Sequence, residues 1–255
     1  MMRHLPLCLL LLAAPVLFLR AASAAGAAEL KILTPPVVEH AGLRELVEEF
    51  TRQTGTKVTL TVGEMLKIPG RVKTETTDVF FLESDLMGKL APGDTARTPP
   101  PASLGRVHIG LAVKAGSPHP DISTLPKFIA VLKTARGVTY SNPDPVRGSM
   151  VAKMAHAMMQ RPDFAGVHGV ISSKGNGVSG LVNGEGDMAL QLISEILPVK
   201  DVELVGKLPD ELKAYMDISV AVSSRAVDTA EAKAFIAFVT RPEAYKIWNA
   251  KGLDR

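Results

Sequence analysis

Three glycines of the run KGNGVSG, Gly175, Gly177 and Gly180, carry the G-x-G-x-x-G spacing that lets a backbone approach a phosphate closely. A dinucleotide site of that kind sits on the opening strand of its domain and needs a long helix behind it. Here Gly184 and Gly186 stop the helix within about two turns. Two readings remain for Gly177 and Val178: a helix N-terminus whose unpaired N–H groups face an anion, or an ordinary turn. The second stretch with chemical content is NPDPVRGS, from Asn142 to Ser149, which joins a strand end to a helix start. Open α/β sheets bind their ligands at such places. Arg147 offers a planar five-donor fork suited to a carboxylate or an oxyanion, and Ser149 either caps the helix or donates to a ligand. A solvated surface position is the competing reading for Arg147, since lone arginines in loops are commonly exposed.

Other chemistries fail on spacing. Met150, Met154 and Met158 recur at i, i+4, i+8 with His156 nearby, which suits a soft copper site but suits one packed helical face better. His40, His108, His119 and His168 are dispersed, with no H-x-x-x-H pair, so no zinc or iron site is expected. Gly177-Val178-Ser179-Gly180 lacks the second spacer of a G-x-S-x-G nucleophile elbow. Glu83 with Asp85 reads as a helix start capped by Ser84, not as an acid and base. Cys8 is the single cysteine and lies near the N-terminus, so cysteine nucleophiles and disulfides have no residues to use. Without a paired nucleophile and base, a metal set or a cofactor loop, the expectation is a binding protein and not an enzyme, with no cofactor.

The elements that would position these groups are β-rich runs alternating with amphipathic helical patterns, the mark of an α/β fold with largely parallel sheets. Strands are expected at residues 30–33, 57–62, 79–82, 107–113, 138–140, 188–193, 203–205 and 218–222, with a short one at 170–173. Leu43, Leu46, Val47 and Phe50 paint one face of a helix that Gly55 closes. Further helices are expected at 124–135, at 149–159 and around Ala232, Phe235, Ile236 and Val239. The loop 91–105, with Pro92, Pro99, Pro100 and Pro101, marks a boundary before a second lobe.

Upstream, Arg3 and His4 precede an apolar run at 7–19 and small residues at 21–28, the layout of a secretory signal peptide over residues 1–24. The run falls short of the roughly 20 residues that span a bilayer. Cys8 sits too early in it for a lipid-anchored cysteine. Small-x-small sites at 22–24 and 25–27 place the cut between residues 24 and 28, so the exported chain should begin between Ala25 and Glu29. N-terminal sequencing of the secreted protein checks this, and a cytosolic product that keeps Met1 overturns it. The whole chain carries 29 Lys+Arg against 26 Asp+Glu, and without Arg3 and Arg20 the balance is 27 to 26. With aromatics at 5% and basic residues scattered, no nucleic-acid partner is expected.

The segments GRVHIGLAVKAGSPHPDIST, NGVSGLVNGEGDMALQLISEI and RPEAYKIWNAKGLDR resemble the periplasmic molybdate-binding proteins and the wider type II periplasmic binding proteins of ABC importers, over the chain from Leu30 onward. The resemblance implies a two-lobed type II periplasmic-binding-protein fold, two α/β lobes with mixed sheets joined by two crossing strands at 107–113 and 217–222. Lobe 1 would be residues 29–107 plus 222–255, and lobe 2 residues 108–221. It implies a monomeric, unlipidated periplasmic protein that closes on a small anionic solute and docks to an inner-membrane permease. A receptor for a sensor system is the alternative, and an exported hydrolase or oxidoreductase the rival of another class. The family places ligand contacts after its first two strands, here TPPVVE and GEMLK, where its serines are replaced. Carried over residue by residue, the implied site is Thr34, Pro35, Gly63, Glu64, Ser141, Arg147, Gly148, Ser149, Gly177, Val178, Gln191 and Ser194. Each lost hydroxyl donor to a charged ligand would cost on the order of 1.5–3 kcal/mol, so the lean is from molybdate towards a small organic acid.

Overall fold

The computed structural model describes residues 29–91, 93–94, 100–144 and 149–255. The expected signal peptide and two of the expected site residues, Arg147 and Gly148, lie outside the described residues.

The chain opens on β1 (Glu29–Thr34), followed by α1 (Pro36–Val38), a wide turn at Glu39–Leu43 and α2 (Arg44–Thr54). Gly42 takes φ 115° in that turn, and a Cβ there would stand 2.6 Å from Ile247 Cγ2, so both conformation and space require glycine. Gly55 closes α2 at φ 78° and donates to Thr51 O, as its type predicts. β2 (Lys57–Val62) then lies parallel to β1. After β2 comes a turn at Met65–Lys67, then α3 (Ile68–Thr74), β3 (Val79–Glu83) and α4 (Ser84–Gly88). The cap of α4 differs from expectation. The Glu83 carboxylate accepts from Leu86 N at 2.9 Å, while Ser84 Oγ pairs with Ser219 Oγ at 2.8 Å and is not free to cap.

β4 (Ala102–Lys114) is longer than the expected strand, because residues after the Pro99–Pro101 run regain their N–H donors and join the sheet at once. A register shift at Ser103/Gly105, with Gly105 at φ 142°, lets the chain's last strand lie against it. Beyond β4 come α5 (Leu125–Thr134), β5 (Val138–Tyr140), α6 (Met150–Met159), β6 (Gly169–Ile171), α7 (Gly177–Val182) and β7 (Met188–Leu192). The chain finishes through α8 (Ile193–Ile196), β8 (Val202–Lys207), β9 (Tyr215–Val222), α9 (Thr229–Val239), α10 (Ala244–Ala250) and β10 (Leu253–Asp254).

The strand order is β2-β1-β3-β9-β4-β7-β5-β6, with β8 and β10 also paired to β4. The sheet is mixed, correcting the largely parallel expectation from alternation alone. β1, β2, β3 and β5, β6, β7 pair in parallel, while every ladder of β4 and β9 is antiparallel. β4 is the shared strand. Its first half pairs with β9 and β10, and its second half, from Ile109, with β7 and β8. Arg106 fixes the β4–β9 side of this crossing, forking Asp217 at 2.8 and 3.1 Å and stacking 3.5 Å over the Tyr215 ring.

One hydrophobic cluster runs across both halves, from Leu30, Phe50 and Trp248 to Phe128, Tyr140 and Leu190. Met158 is buried in it and Met150 and Met154 pack against it, so the methionine face of α6 serves as core.

Candidate functional site

The C-terminal ends of β1, β2, β5 and β7 converge on one cleft of about 410 Å³. One wall comes from the turns after β1 and β2 and carries Pro35, Glu64, Met65 and Lys67. The facing wall holds Ser141 and Asn142 after β5, Ser149 and Met150 at the start of α6, and Asn176 before α7. Gln191, Leu192 and Glu195 close the floor, with Met216 of β9 beside them. Loops at strand C-termini point outward past the sheet, which is why this place is open to a ligand.

Five of the twelve residues carried over from the family line this cleft directly: Pro35, Glu64, Ser141, Ser149 and Gln191. Ser149 caps α6, accepting from Ala152 N at 3.2 Å, which leaves its own O–H to donate. Glu64 is compensated, because Lys67 Nζ lies 2.6 Å from its Oε1. Both of those side chains are exposed at the cleft mouth, where such a pair adds little stability.

Of the other seven, Arg147 and Gly148 lie outside the described residues, and the remaining five stand behind the lining. Thr34 is fully buried and turns its hydroxyl onto Pro35 O at 3.3 Å. Gly63 donates to Thr34 O at 2.9 Å, and a Cβ on it would stand 2.5 Å from an Arg71 guanidinium nitrogen, so this glycine makes room for the arginine. Arg71 itself forks Glu75 at 2.7 and 2.8 Å. Gly177 is the closest approach of α7 to the sheet: a Cβ would stand 2.5 Å from Leu190 O and 3.0 Å from Thr139 O. Thr139 Oγ1 donates to Gly177 O at 2.7 Å. Val178 is buried against Leu181 and Ala189, and Ser194 Oγ is buried beneath the turn at Gly252 with no hydrogen-bond partner among the described residues.

The floor holds the group that residue spacing did not single out. Gln191 Nε2 donates to Glu195 Oε2, and Gln191 Oε1 accepts from Ser141 Oγ at 3.4 Å, so three side chains form one polar chain. Burial pushes the Glu195 carboxyl above the ordinary carboxylate range, against smaller opposing effects from Gln191 and from the field of His40. A carboxyl four residues past a wall residue is a usable signal only once the chain is known to turn from strand into helix between them. Among the described residues no cluster of three or more His, Cys, Asp or Glu could hold a metal ion, and no helix is long and apolar enough to cross a membrane.

The surface of the cleft is as informative as its polar groups. Pro36, Val37, Leu66, Met65, Met150 and Met216 present hydrocarbon and thioether on both walls, while Ser141, Asn142, Ser149 and Asn176 present neutral polar groups. Such a lining suits a ligand with a carbon skeleton and several oxygens.

Comparison with known proteins agrees with this geometry. A curated relative, an aconitate isomerase of Pseudomonas sp, is 26% identical over 218 residues, covering 83% of this chain and 82% of its own. Among solved structures, the periplasmic molybdate-binding protein of Azotobacter vinelandii superposes with a TM-score of 0.67 at 17% identity, covering 89% of this chain and 99% of its own. PEB3 of Campylobacter jejuni, solved with L-phospholactate bound, gives 0.63 at 16% identity with the same coverage. At such identities the structures establish the two-lobed fold. The family model for bacterial extracellular solute-binding proteins matches residues 30–254, and this chain belongs to that family.

Proposed function

We propose that this chain is the periplasmic solute-binding component of an ABC importer, acting as a monomer, and that its solute is a small organic acid carrying more than one carboxylate. The lining of the cleft carries this reading. A tetrahedral oxyanion needs a cage of donors and gains nothing from Pro36, Leu66 or Met216, whereas a carbon skeleton buries them. The volume falls within the roughly 300–1,000 Å³ of small-molecule sites. Arg147 lies in sequence between the wall residues Asn142 and Ser149 and supplies the fork for one carboxylate. Capture works by closure. Residues 29–107 with 222–255 form one body and 108–221 the other, and the ligand stabilises the closed arrangement by touching both.

A second reading is favoured by the relative that isomerises aconitate, an unsaturated tricarboxylic acid. Glu195, a cleft carboxyl with a raised proton affinity, is the group of the cleft suited to moving a proton on such a ligand. One experiment separates the readings. Purified protein is titrated calorimetrically with cis- and trans-aconitate, citrate, succinate, molybdate, tungstate and sulfate, with scattering recorded at saturation and the aconitate isomer ratio followed by NMR. Binding of a carboxylic acid with a smaller radius of gyration, a loss of at least tenfold in Arg147→Ala and a constant isomer ratio is the expected result. A changing isomer ratio establishes the second reading. Submicromolar molybdate binding with no carboxylate binding overturns the organic-acid assignment.

A further inference from the structure

Glu195 is tied only to neutral groups. One carboxylate oxygen, Oε2, accepts from the Gln191 amide, whose oxygen accepts from Ser141 Oγ at 3.4 Å, so both polar ends of the amide are used. Oε1 receives no hydrogen bond among the described residues, although Glu195 lines the cleft. The charged and titratable groups facing it are few. His40, from the turn packed on α8, acts on it only through its field, and Glu64 and Lys67 across the cleft are paired with each other. α1, β4, β7 and β8 also pack on α8 and bring no charged group that acts on this carboxyl. An ionised carboxylate so placed is partly desolvated and, among the described residues, has no ion-pair partner, whereas the neutral acid needs only an acceptor for its proton.

We propose that Glu195 is a specificity-determining residue of the cleft, presenting Oε1–H as a hydrogen-bond donor to one carboxylate of the bound acid. This rests on the organic-acid reading of the site. The direction in which burial moves the carboxyl supports it. A carboxylate ligand accepts from this group in a short, charge-assisted O–H···O bond. The same ligand is repelled once Glu195 ionises, so occupancy follows protonation. The site thereby discriminates by protonation: it takes the acid as an anion together with one proton held on the protein.

Two measurements on the purified protein test this. The first is the ¹³C carboxyl resonance of Glu195 without ligand, assigned by its loss in Glu195→Gln. The expected midpoint lies above the ordinary glutamate value of about 4.3, and a midpoint at or below it overturns the proposal whatever binds. The second is the dissociation constant of trans-aconitate and of citrate from pH 5 to 9, in wild type and Glu195→Gln. The comparison cancels the ligand's own titration. Wild type should weaken tenfold more per pH unit than Glu195→Gln above the Glu195 midpoint, because one proton is linked to binding. Parallel profiles in two folded proteins overturn the donor role while leaving the organic-acid reading intact. If neither acid binds either protein at any pH, the organic-acid reading falls and takes the donor role with it.

Discussion

Trp248→Ala should destabilise the folded protein by about 3–5 kcal/mol, the range for losing a large aromatic from a core. Trp248 is fully buried in α10, in the cluster that joins Leu30, Phe50 and Phe235. Its Nε1 donates to Val239 O at 2.9 Å, at the C-terminal end of α9. Truncation opens a cavity and also leaves that carbonyl without its partner. For a chain of this size, the melting temperature should fall by about 2–4 °C for each kcal/mol, roughly 6–20 °C in all. Trp248→Phe keeps most of the ring but loses the donor, and should cost about 1–3 kcal/mol, the range for an unsatisfied buried group. Denaturant unfolding monitored by circular dichroism measures both. A loss below about 1 kcal/mol in the alanine variant would mean that α10 packs on α2 and β10 without depending on this side chain.

Gln191→Leu should be the most damaging substitution in the cleft. Gln191 is buried, and its amide links Ser141 to Glu195. Leucine keeps the bulk while leaving a hydroxyl and a carboxyl unpaired, each worth about 1–3 kcal/mol. Part of that loss appears as stability and part as affinity, because Ser141 and Glu195 both line the cleft. The expected result is a drop of at least tenfold in affinity for the tightest acid of the panel, about 1.4 kcal/mol, in a protein that still unfolds cooperatively. Calorimetry on the folded variant checks it. Unchanged affinity would show that the floor of the cleft is a structural feature and that recognition rests on the walls alone.

The elements of the fold were largely readable because their signals are local. The 57–62 and 138–140 strands match the observed β2 and β5, and Thr124 and Ser149 cap α5 and α6 at the expected places. Apolar periodicity and capping chemistry act within one turn or one strand. The short elements were not readable. The α1 turn and α8, of three and four residues, have no room for a period, and their place is set by packing against one another. The same limit applied to Glu83, whose capping role depends on Ser84 being held by Ser219, 135 residues away in sequence.

The site divides in the same way. The loops after β1, β2 and β5 and the strand end at Gln191 are legible because a ligand site in such a sheet lies where strands end and helices begin. Their residues Pro35, Glu64, Ser141, Ser149 and Gln191 meet in the cleft. Sequence could not decide that Glu64 is neutralised by Lys67, that Thr34 faces inward, or that Gly177 serves a close packing contact of α7. Nor could it identify Glu195, an ordinary acidic residue until β7 turns into α8 and burial raises its proton affinity. By itself the sequence determined the family, the alternation of elements and the segments that border the cleft, because these depend on composition and short-range spacing. Only the tertiary structure decided which side chains are desolvated, paired or left open to a ligand, since burial and electrostatic compensation are set by residues distant in the chain.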